Sequence, residues 1–328
     1  MSSPPRDPYG VVSRRALLTR WAPAALAASA LAGTGALLAD REGRHRPPDD
    51  RALPRPRDWR IAPGARGRIV TTGGASPDEN LRRALAALGG IEQFVKRGER
   101  VVIKPNCAWD RTPEQGANTD PVLVAELARL CRAAGASRVI VADSTCHDPD
   151  RSFERSGIAR AARSAGATVQ HQSSGGVVRL DLGGTQLGVW NVLKSIAEAD
   201  RVINVPLVKH HGLARATVGM KNWIGAVTGP RSAMHQRLSQ VTAELGAAFR
   251  PTLTVVDATR ILVSGGPTGG SLASVRTLNQ LAISTDPVAA DAWGASLLGL
   301  EAADLSYLAI AARLGLGTTD WQSIADKA

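Results

Sequence analysis

Four segments of the sequence are apolar at almost every position, and they restrict the fold more than any other feature. Helical patterns separate these segments, which lie at residues 101–103, 138–142, 201–205 and 253–256. A strand that has no polar face is buried on both faces, as in the parallel sheets of α/β proteins. The sequence therefore predicts an α/β fold, with a largely parallel mixed sheet that helices cover on both faces.

Cap and turn residues add two details to this prediction. Asp120 and Asp286 each precede a proline. Each pair predicts the start of a helix, because Asp caps the first turn and Pro fits the first helical position. Residues 178–190 alternate between polar and apolar side chains around a pair of glycines, which predicts a small hairpin insertion.

Polar residues follow the predicted strands at the points where the strands end. In open α/β sheets, ligands bind outside the carboxyl ends of the strands. The residues that we expect to bind a substrate or cofactor are Lys104, Asn106, Asp143, Asn204 and Asp257, together with Asn222 of the segment described next.

Residues 204–230 form the segment around which the predicted site is organised. The chain has 40 Lys and Arg residues, of which only six are Lys, and this segment contains Lys209 and Lys221. A buried lysine can lose its proton, whereas an arginine cannot. We therefore expect Lys209 and Lys221, with the adjacent His210 and His211, to be the catalytic residues. The alternative is that both lysines are ordinary surface residues.

The two histidines also suggest a metal site, with His210, His211 and Asp257 as ligands. Adjacent residues of a strand point to opposite faces, so only one histidine would reach a given site unless the backbone turns at Gly212. No H-x-H or H-x-x-x-H spacing supports a metal, and a hydrogen-bonded or solvent-facing pair is the alternative. The glycines around Lys221 also predict backbone N–H groups that hold a phosphate or carboxylate.

Charge and cysteine content exclude two classes of partner. The net charge is +11, but aromatic residues are scarce and none are interleaved with a basic run, so we expect no nucleic acid partner. The excess charge fits small acidic molecules or anionic membrane surfaces better. The three cysteines form no C-x-x-C pair, so we expect that this chain alone holds no iron–sulfur cluster.

The N-terminal region resembles a twin-arginine export signal. Arg14 and Arg15 precede nineteen residues without charge, 21–39. We therefore predict a signal peptide or anchor over residues 1–39, a linker rich in Pro and Arg over 40–66, and an α/β domain over 67–328. The twin-arginine export machinery would then be a partner, and the protein would lie in the periplasm or cell envelope. An uncleaved membrane anchor at residues 21–39 is the alternative to cleavage.

An ordered set of motifs resembles the domain of unknown function 362 family. The set consists of I-K-P-N at 103–106, T-D-P at 119–121, N-V-P-x-x-K-x-H at 204–211, G-x-K-N-x-x-G at 219–225 and S-x-D-P-V-A-x-D at 284–291. The resemblance implies a link to iron–sulfur proteins, although this chain lacks the ferredoxin-like cysteine segment of many members. The segment in which a histidine at 210–211 is followed by Gly-x-Lys at 219–221 is also faintly similar to the first domain of nickel-pincer lactate racemases.

These observations lead to one hypothesis of function and one alternative. We expect an exported enzyme that binds a small anionic substrate or cofactor, with an oxidoreductase or isomerase-like activity and a link to metal or redox chemistry. The lysines would hold the anion, and His210 or His211 would transfer a proton or bind a metal. The alternative is a non-catalytic periplasmic binding protein, or an accessory partner of an iron–sulfur redox protein.

Overall fold

The computed structural model describes residues 53–62, 64 and 67–327. The predicted signal or anchor at 1–39 and most of the predicted linker at 40–66 lie outside the described residues. No helix in the described part of the chain is long and apolar enough to cross a membrane.

The described residues form two sheets. Their strands are β1 (Ile69–Gly73), β2 (Arg100–Pro105), β3 (Arg138–Asp143), β4 (Thr168–His171), β5 (Val177–Asp181), β6 (Val189–Leu193), β7 (Arg201–Val205), β8 (Leu207–His211), β9 (Arg215–Thr217), β10 (Val227–Thr228), β11 (Leu253–Leu262), β12 (Val275–Ser284) and β13 (Ala325–Lys327).

The large sheet has the order β13-β1-β12-β11-β7-β2-β3-β4, and β8 and β9 extend it beside β11. Strands β11, β7, β2, β3 and β4 are parallel to one another, whereas β12 is antiparallel to both β11 and β1. The predicted α/β fold with a largely parallel mixed sheet is therefore confirmed. The predicted hairpin is the antiparallel pair β5–β6, to which β10 adds a third strand.

Helices cover both faces of the large sheet. They are α1 (Pro77–Ala87), α2 (Pro121–Ala133), α3 (Pro149–Arg155), α4 (Ile158–Ser164), α5 (Lys194–Ala197), α6 (Gly219–Asn222), α7 (Leu238–Ala248), α8 (Pro287–Ser296) and α9 (Ser306–Arg313). Short 3-10 turns lie at Ile91–Gln93, Pro113–Gln115, Trp223–Ala226, Arg231–Arg237, Leu272–Ser274, Ala302–Asp304 and Trp321–Ile324.

The two predicted Asp-Pro helix starts are present. The side chain of Asp120 accepts the backbone N–H of Val122 at the start of α2. The side chain of Asp286 accepts the N–H groups of Val288 and Ala289 at the start of α8. In both helices the proline occupies the first turn, where its missing N–H costs no hydrogen bond.

Strand β2 explains why the apolar segments were informative. Val101 and Ile103 contribute to the core on the side of helices α1, α2 and α4. Val102 contributes to the core on the other side, with Trp223 and Phe249. Since successive side chains of a strand point to opposite faces, a strand covered on both sides needs apolar residues at every position.

Part of the predicted linker packs against the domain. Trp59 is only 1% exposed, and its indole N–H donates to the carbonyl oxygen of Ala199 at 3.1 Å. Its ring stacks on Phe249 with a centroid distance of 6.4 Å. Its backbone N–H also donates to the carbonyl oxygen of Arg250. Residues around Trp59 therefore complete one face of the core.

Candidate functional site

Lys104, at the end of β2, forms an ion pair in the core. Its ammonium donates to Asp143 Oδ1 at 2.6 Å, to the carbonyl oxygen of Pro105 at 2.8 Å and to Asn222 Oδ1 at 3.2 Å. Burial lowers the pKa of Lys104 and raises the pKa of Asp143, whereas each partner favours the charge of the other. Because three acceptors surround the ammonium, all of its N–H groups are used.

Three asparagine side chains connect this ion pair to the neighbouring strand and helix. Asn222 Oδ1 accepts from Asn106 at 2.9 Å, and Asn222 Nδ2 donates to Asn204 Oδ1 at 2.8 Å. Asn204 Nδ2 in turn donates to the carbonyl oxygen of Gly219 at 2.9 Å. These bonds join β2, β7 and α6, and each amide uses both its donor and its acceptor.

Gly225 allows the backbone after α6 to approach the ion pair closely. A Cβ atom at this position would overlap Asp143 Oδ1 and would lie 2.8 Å from Lys104 Nζ. The carbonyl oxygen of Gly225 also accepts the backbone N–H of Ser144 at 2.8 Å. No residue with a side chain fits there without displacing the Lys104–Asp143 pair.

Lys209, in the middle of β8, is held by two acceptors. Its amine donates to Asn106 Oδ1 at 2.6 Å and to the carbonyl oxygen of Ala117 at 2.7 Å. Burial and the charge of Lys221 lower the pKa of Lys209 to about 7. Two of the three N–H groups of its ammonium are used, and the third is free. Because its pKa is close to 7, Lys209 can gain or lose this proton near neutral pH.

Lys221, in α6, differs from the other two lysines. Its side chain is only 8% exposed, yet within residues 53–62, 64 and 67–327 its amine makes no hydrogen bond or ion pair. Burial lowers the pKa of Lys221 to about 8. Asp291 holds this short helix by accepting the backbone N–H groups of Gly219 at 2.7 Å and Met220 at 3.2 Å. The N–H groups of Lys221 are therefore free to donate to a bound molecule.

Lys221 lines a cavity of about 190 Å³, which we call the Lys221 cavity. The other lining residues include Asn106, Trp109, Asp143, Cys146, Lys209, His211, Thr217, Asn222, Arg231 and His235. Two further polar atoms of this lining, Trp109 Nε1 and Thr217 Oγ1, are buried without a hydrogen-bond partner in the described part of the chain. The cavity therefore gathers an amine, an indole N–H and a hydroxyl that all lack an acceptor.

His211 faces this cavity in a fixed neutral form. Its Nδ1 accepts the backbone N–H groups of Leu213 and Ala214, each at 3.1 Å. Burial and the charge of Lys221 lower the pKa of His211 to about 3. The neutral ring therefore carries its proton on Nε2 and is a hydrogen-bond donor, because Nδ1 is occupied as an acceptor.

His210 does not line the Lys221 cavity. It contributes to a neighbouring cavity of about 220 Å³ with Arg215 and Leu300, and its Nδ1 accepts the backbone N–H of Gly266 at 3.2 Å. Of the two adjacent histidines, His211 alone lines the Lys221 cavity, whereas both line the neighbouring one.

Asp257 also lies outside the Lys221 cavity. Its two oxygens accept the backbone N–H groups of Asp120 at 2.7 Å and Thr259 at 2.8 Å. Burial and the charge of Asp120 raise the pKa of Asp257 to about 6. Pairing with β12 extends β11 through Leu262, so Asp257 lies within the strand and not at its end.

The structure does not bring His210, His211 and Asp257 together as a metal site. Among residues 53–62, 64 and 67–327, no group of three or more His, Cys, Asp or Glu side chains could hold a metal ion. The structure does bring together Lys104, Asn106, Asp143, Asn204, Lys209, His211, Lys221 and Asn222.

Comparison with known proteins decides the family. Residues 101–296 match the family described as Domain of unknown function (DUF362). The chain belongs to the DUF362 family. The match confirms the resemblance that the ordered motifs indicated, and it contains every residue of the predicted site.

Two known proteins are similar to this DUF362 protein. A thylakoid-associated protein of Synechocystis sp. is 29% identical over 249 residues, which cover 73% of this chain and 75% of the relative. The lactate racemase apoprotein from Thermoanaerobacterium thermosaccharolyticum aligns with a TM-score of 0.42 and 14% identity. That alignment covers 75% of this chain, which spans only 61% of the racemase chain.

Several residues of the site were not predicted from the sequence of this DUF362 protein. Asp291 closes the motif at 284–291, and its position in a quoted motif was a usable signal. Trp109 and Thr217 carried no such signal, because one lies in a loop and the other ends the three-residue strand β9. Arg231 donates to the carbonyl oxygens of Ser144 and Thr145, and so fixes the loop that follows β3.

Proposed function

We propose that this DUF362 protein is an enzyme that binds a small anionic substrate in the Lys221 cavity and transfers a proton to or from it. The observation that carries the proposal is the Lys221 amine, which is buried and has no acceptor among the described residues. Trp109 Nε1 and Thr217 Oγ1 share this lack of an acceptor. A carboxylate or phosphate would supply oxygen acceptors to all three donors at once.

The size of the cavity limits the substrate. A volume of about 190 Å³ corresponds to roughly six water molecules at about 30 Å³ each. A phosphate ion or a carboxylic acid of two to four carbons fits this space. Larger anions such as nucleotides would have to extend beyond it.

Lys209 is the residue best suited to proton transfer. As a neutral amine it has two N–H groups for Asn106 and Ala117, which leaves its lone pair free. As an ammonium it has a third N–H to donate. Its pKa of about 7 places both forms within reach at neutral pH, which is the requirement for a general acid or base.

The other polar residues support this site in different ways. His211 donates from Nε2 and acts as a neutral donor to the anion rather than as a base. Lys104 and Asp143 use their charges on each other, and the asparagines hold α6 against the sheet. Proton transfer beside a bound anion favours an isomerase-like activity over an oxidoreductase.

Calorimetric titration with inorganic phosphate and with acetate tests anion binding. Lys221→Met should weaken binding by about 1.5–3 kcal/mol, which is the range for hydrogen bonds to charged groups. Lys194→Met is the matched control, because Lys194 is half exposed and lies 3.8 Å from Glu198 on the surface. Equal binding by the wild-type protein and Lys221→Met would refute the anion site.

Exchange of substrate protons in deuterated water tests the catalytic part. Nuclear magnetic resonance would follow small carboxylates that carry a hydrogen next to the carboxyl group. We expect exchange that depends on Lys209 and rises through a pKa near 7. Binding without exchange would instead support the alternative, a non-catalytic binding protein or an accessory partner of an iron–sulfur redox system.

We also propose export by the twin-arginine pathway to the periplasm or cell envelope. The pair Arg14-Arg15 before the uncharged residues 21–39 supports this, and the thylakoid association of a relative agrees with a location at a membrane. Replacement of both arginines by lysine should leave the protein in the cytoplasm. Fractionation that still finds the doubly substituted protein in the envelope would refute the export signal.

A further inference from the structure

We propose that Lys221 is a nucleophile that forms an imine with a small 2-oxo carboxylate bound in the Lys221 cavity. This inference rests on the proposed anion binding, and it adds the chemical class of the substrate and a covalent step.

The hydrogen bonds of the three buried lysines distinguish their roles. Lys104 donates to three acceptors, so its nitrogen has no free lone pair. Lys209 donates to two acceptors, which hold it in place. Lys221 has no acceptor in the part of the chain that the structure describes, although it lines the cavity. Because no acceptor holds its amine in place, Lys221 is the lysine whose nitrogen can move to a bound carbonyl group and add to it.

The surroundings of Lys221 increase its neutral fraction. Burial lowers its pKa from 10.5 to about 8. At pH 7.5 this change raises the fraction of neutral amine by about 200-fold relative to an exposed lysine. Desolvation is one of the ways in which proteins activate lysine as a nucleophile, and burial is the cause of the lowered pKa of Lys221.

The hydrogen-bond donors of the cavity other than its lysines can bind a carboxylate that lies next to the reacting carbonyl group. Trp109 Nε1 and Thr217 Oγ1 lack acceptors among the described residues, and His211 offers its Nε2 proton. A 2-oxo acid presents a carboxylate and a ketone on neighbouring carbons. Pyruvate has six non-hydrogen atoms, which fits a cavity with room for roughly six waters.

The step balances without an oxidant or a reductant. The lone pair of neutral Lys221 forms a bond to the carbonyl carbon, and the carbonyl oxygen takes a proton from the Lys209 ammonium. The carbinolamine then loses a proton from nitrogen and its hydroxyl group as water, which gives the imine. The protonated imine withdraws electrons from the adjacent carbon, so neutral Lys209 can remove a proton from that carbon. The covalent step therefore provides a reason for the proposed proton transfer.

Reductive trapping tests this inference. The purified protein would be treated with pyruvate and sodium cyanoborohydride, and the modified residue would be located by peptide mass spectrometry. We expect one reduced pyruvate adduct per chain, located on Lys221. The adduct should be lost in Lys221→Arg and kept in Lys194→Met, while acetate in place of pyruvate should give none.

The outcomes separate this inference from the proposed function. If acetate and phosphate bind in a Lys221-dependent manner but pyruvate gives no adduct on Lys221, the imine is refuted and the anion site stands. If none of the three anions binds, both proposals fail. An adduct on Lys209, or equal labelling of Lys194 and Lys221, would also overturn the assignment of Lys221 as the nucleophile.

Discussion

Lys221→Met should stabilise the unliganded protein, although it removes a residue of the proposed site. Methionine keeps a long unbranched side chain and removes the buried ammonium. The pKa of Lys221 falls from 10.5 to about 8 on folding, which is a change of about 2.5 units. At about 1.4 kcal/mol per unit, the folded state loses about 3 kcal/mol when it keeps this lysine protonated.

The pH dependence of this gain has a definite sign. Below pH 7 the lysine is protonated in both the folded and unfolded states, so the folded state bears the full cost. Between pH 8 and 10.5 the folded protein holds a neutral amine while the unfolded chain still binds a proton. The cost therefore shrinks as pH rises and is absent above about 10.5. Lys221→Met should gain about 3 kcal/mol at pH 6 and about 1 kcal/mol at pH 9.5.

Lys104→Met provides a control of opposite sign. Lys104 is fully buried, and its removal leaves the carboxylate of Asp143 in the core without its 2.6 Å partner. Breaking a buried ion pair in this way costs about 3–5 kcal/mol. Urea unfolding of the wild-type protein and both variants at pH 6 and pH 9.5 would measure these differences.

The result that refutes the reasoning is a loss of stability in Lys221→Met at pH 6 that matches the loss in Lys104→Met. Such a loss would mean that Lys221 has a stabilising acceptor in the folded protein. Lys221 could then not be the unpaired donor on which the anion site depends.

Three further predictions concern residues around the site and the core. Asp291→Asn should weaken phosphate binding about tenfold in calorimetry, because an amide accepts fewer of the hydrogen bonds that hold α6; unchanged affinity would contradict this. Asp257→Asn should lower the unfolding free energy by about 1–3 kcal/mol in urea, because the carboxylate accepts two backbone N–H groups. Phosphate binding should not change, since Asp257 lies outside the Lys221 cavity; weaker binding would show that Asp257 belongs to the site. Trp59→Ala should lower the unfolding free energy by about 3–5 kcal/mol in the same urea assay. An unchanged unfolding free energy would show that the segment around Trp59 is not part of the core.

The location of the site could be predicted from sequence because it depends on local patterns. The apolar strand before Lys104 and the one before Lys209 place both lysines in a parallel sheet, where ligands bind at the carboxyl ends. The alternation of a strand also predicted that only one of the two histidines reaches a given site, and His211 but not His210 lines the Lys221 cavity. Each of these inferences needed only a few neighbouring residues.

The roles of the lysines could not be predicted, because they depend on residues that are distant in the chain. Lys104 is neutralised by Asp143, and Lys209 is held by Asn106, which lies 103 residues away. Nothing in the sequence around Lys221 indicates that, of these three lysines, it is the one without a partner among the residues that the structure describes. The position of Asp257 was misjudged for a similar reason, since pairing with a later strand, β12, lengthens β11 beyond it.

Trp59 packs at the opposite end of the parallel strands from the Lys221 cavity. Trp59 binds the carbonyl oxygens of Ala199 and Arg250, which precede β7 and β11. The Lys221 cavity lies instead near the carboxyl ends of β2 and β3. A five-residue strand is about 17 Å long, so roughly that distance separates the two edges of the sheet. The core contact of Trp59 and the polar groups of the cavity therefore occupy opposite ends of the strands, and the two sets have no residue in common.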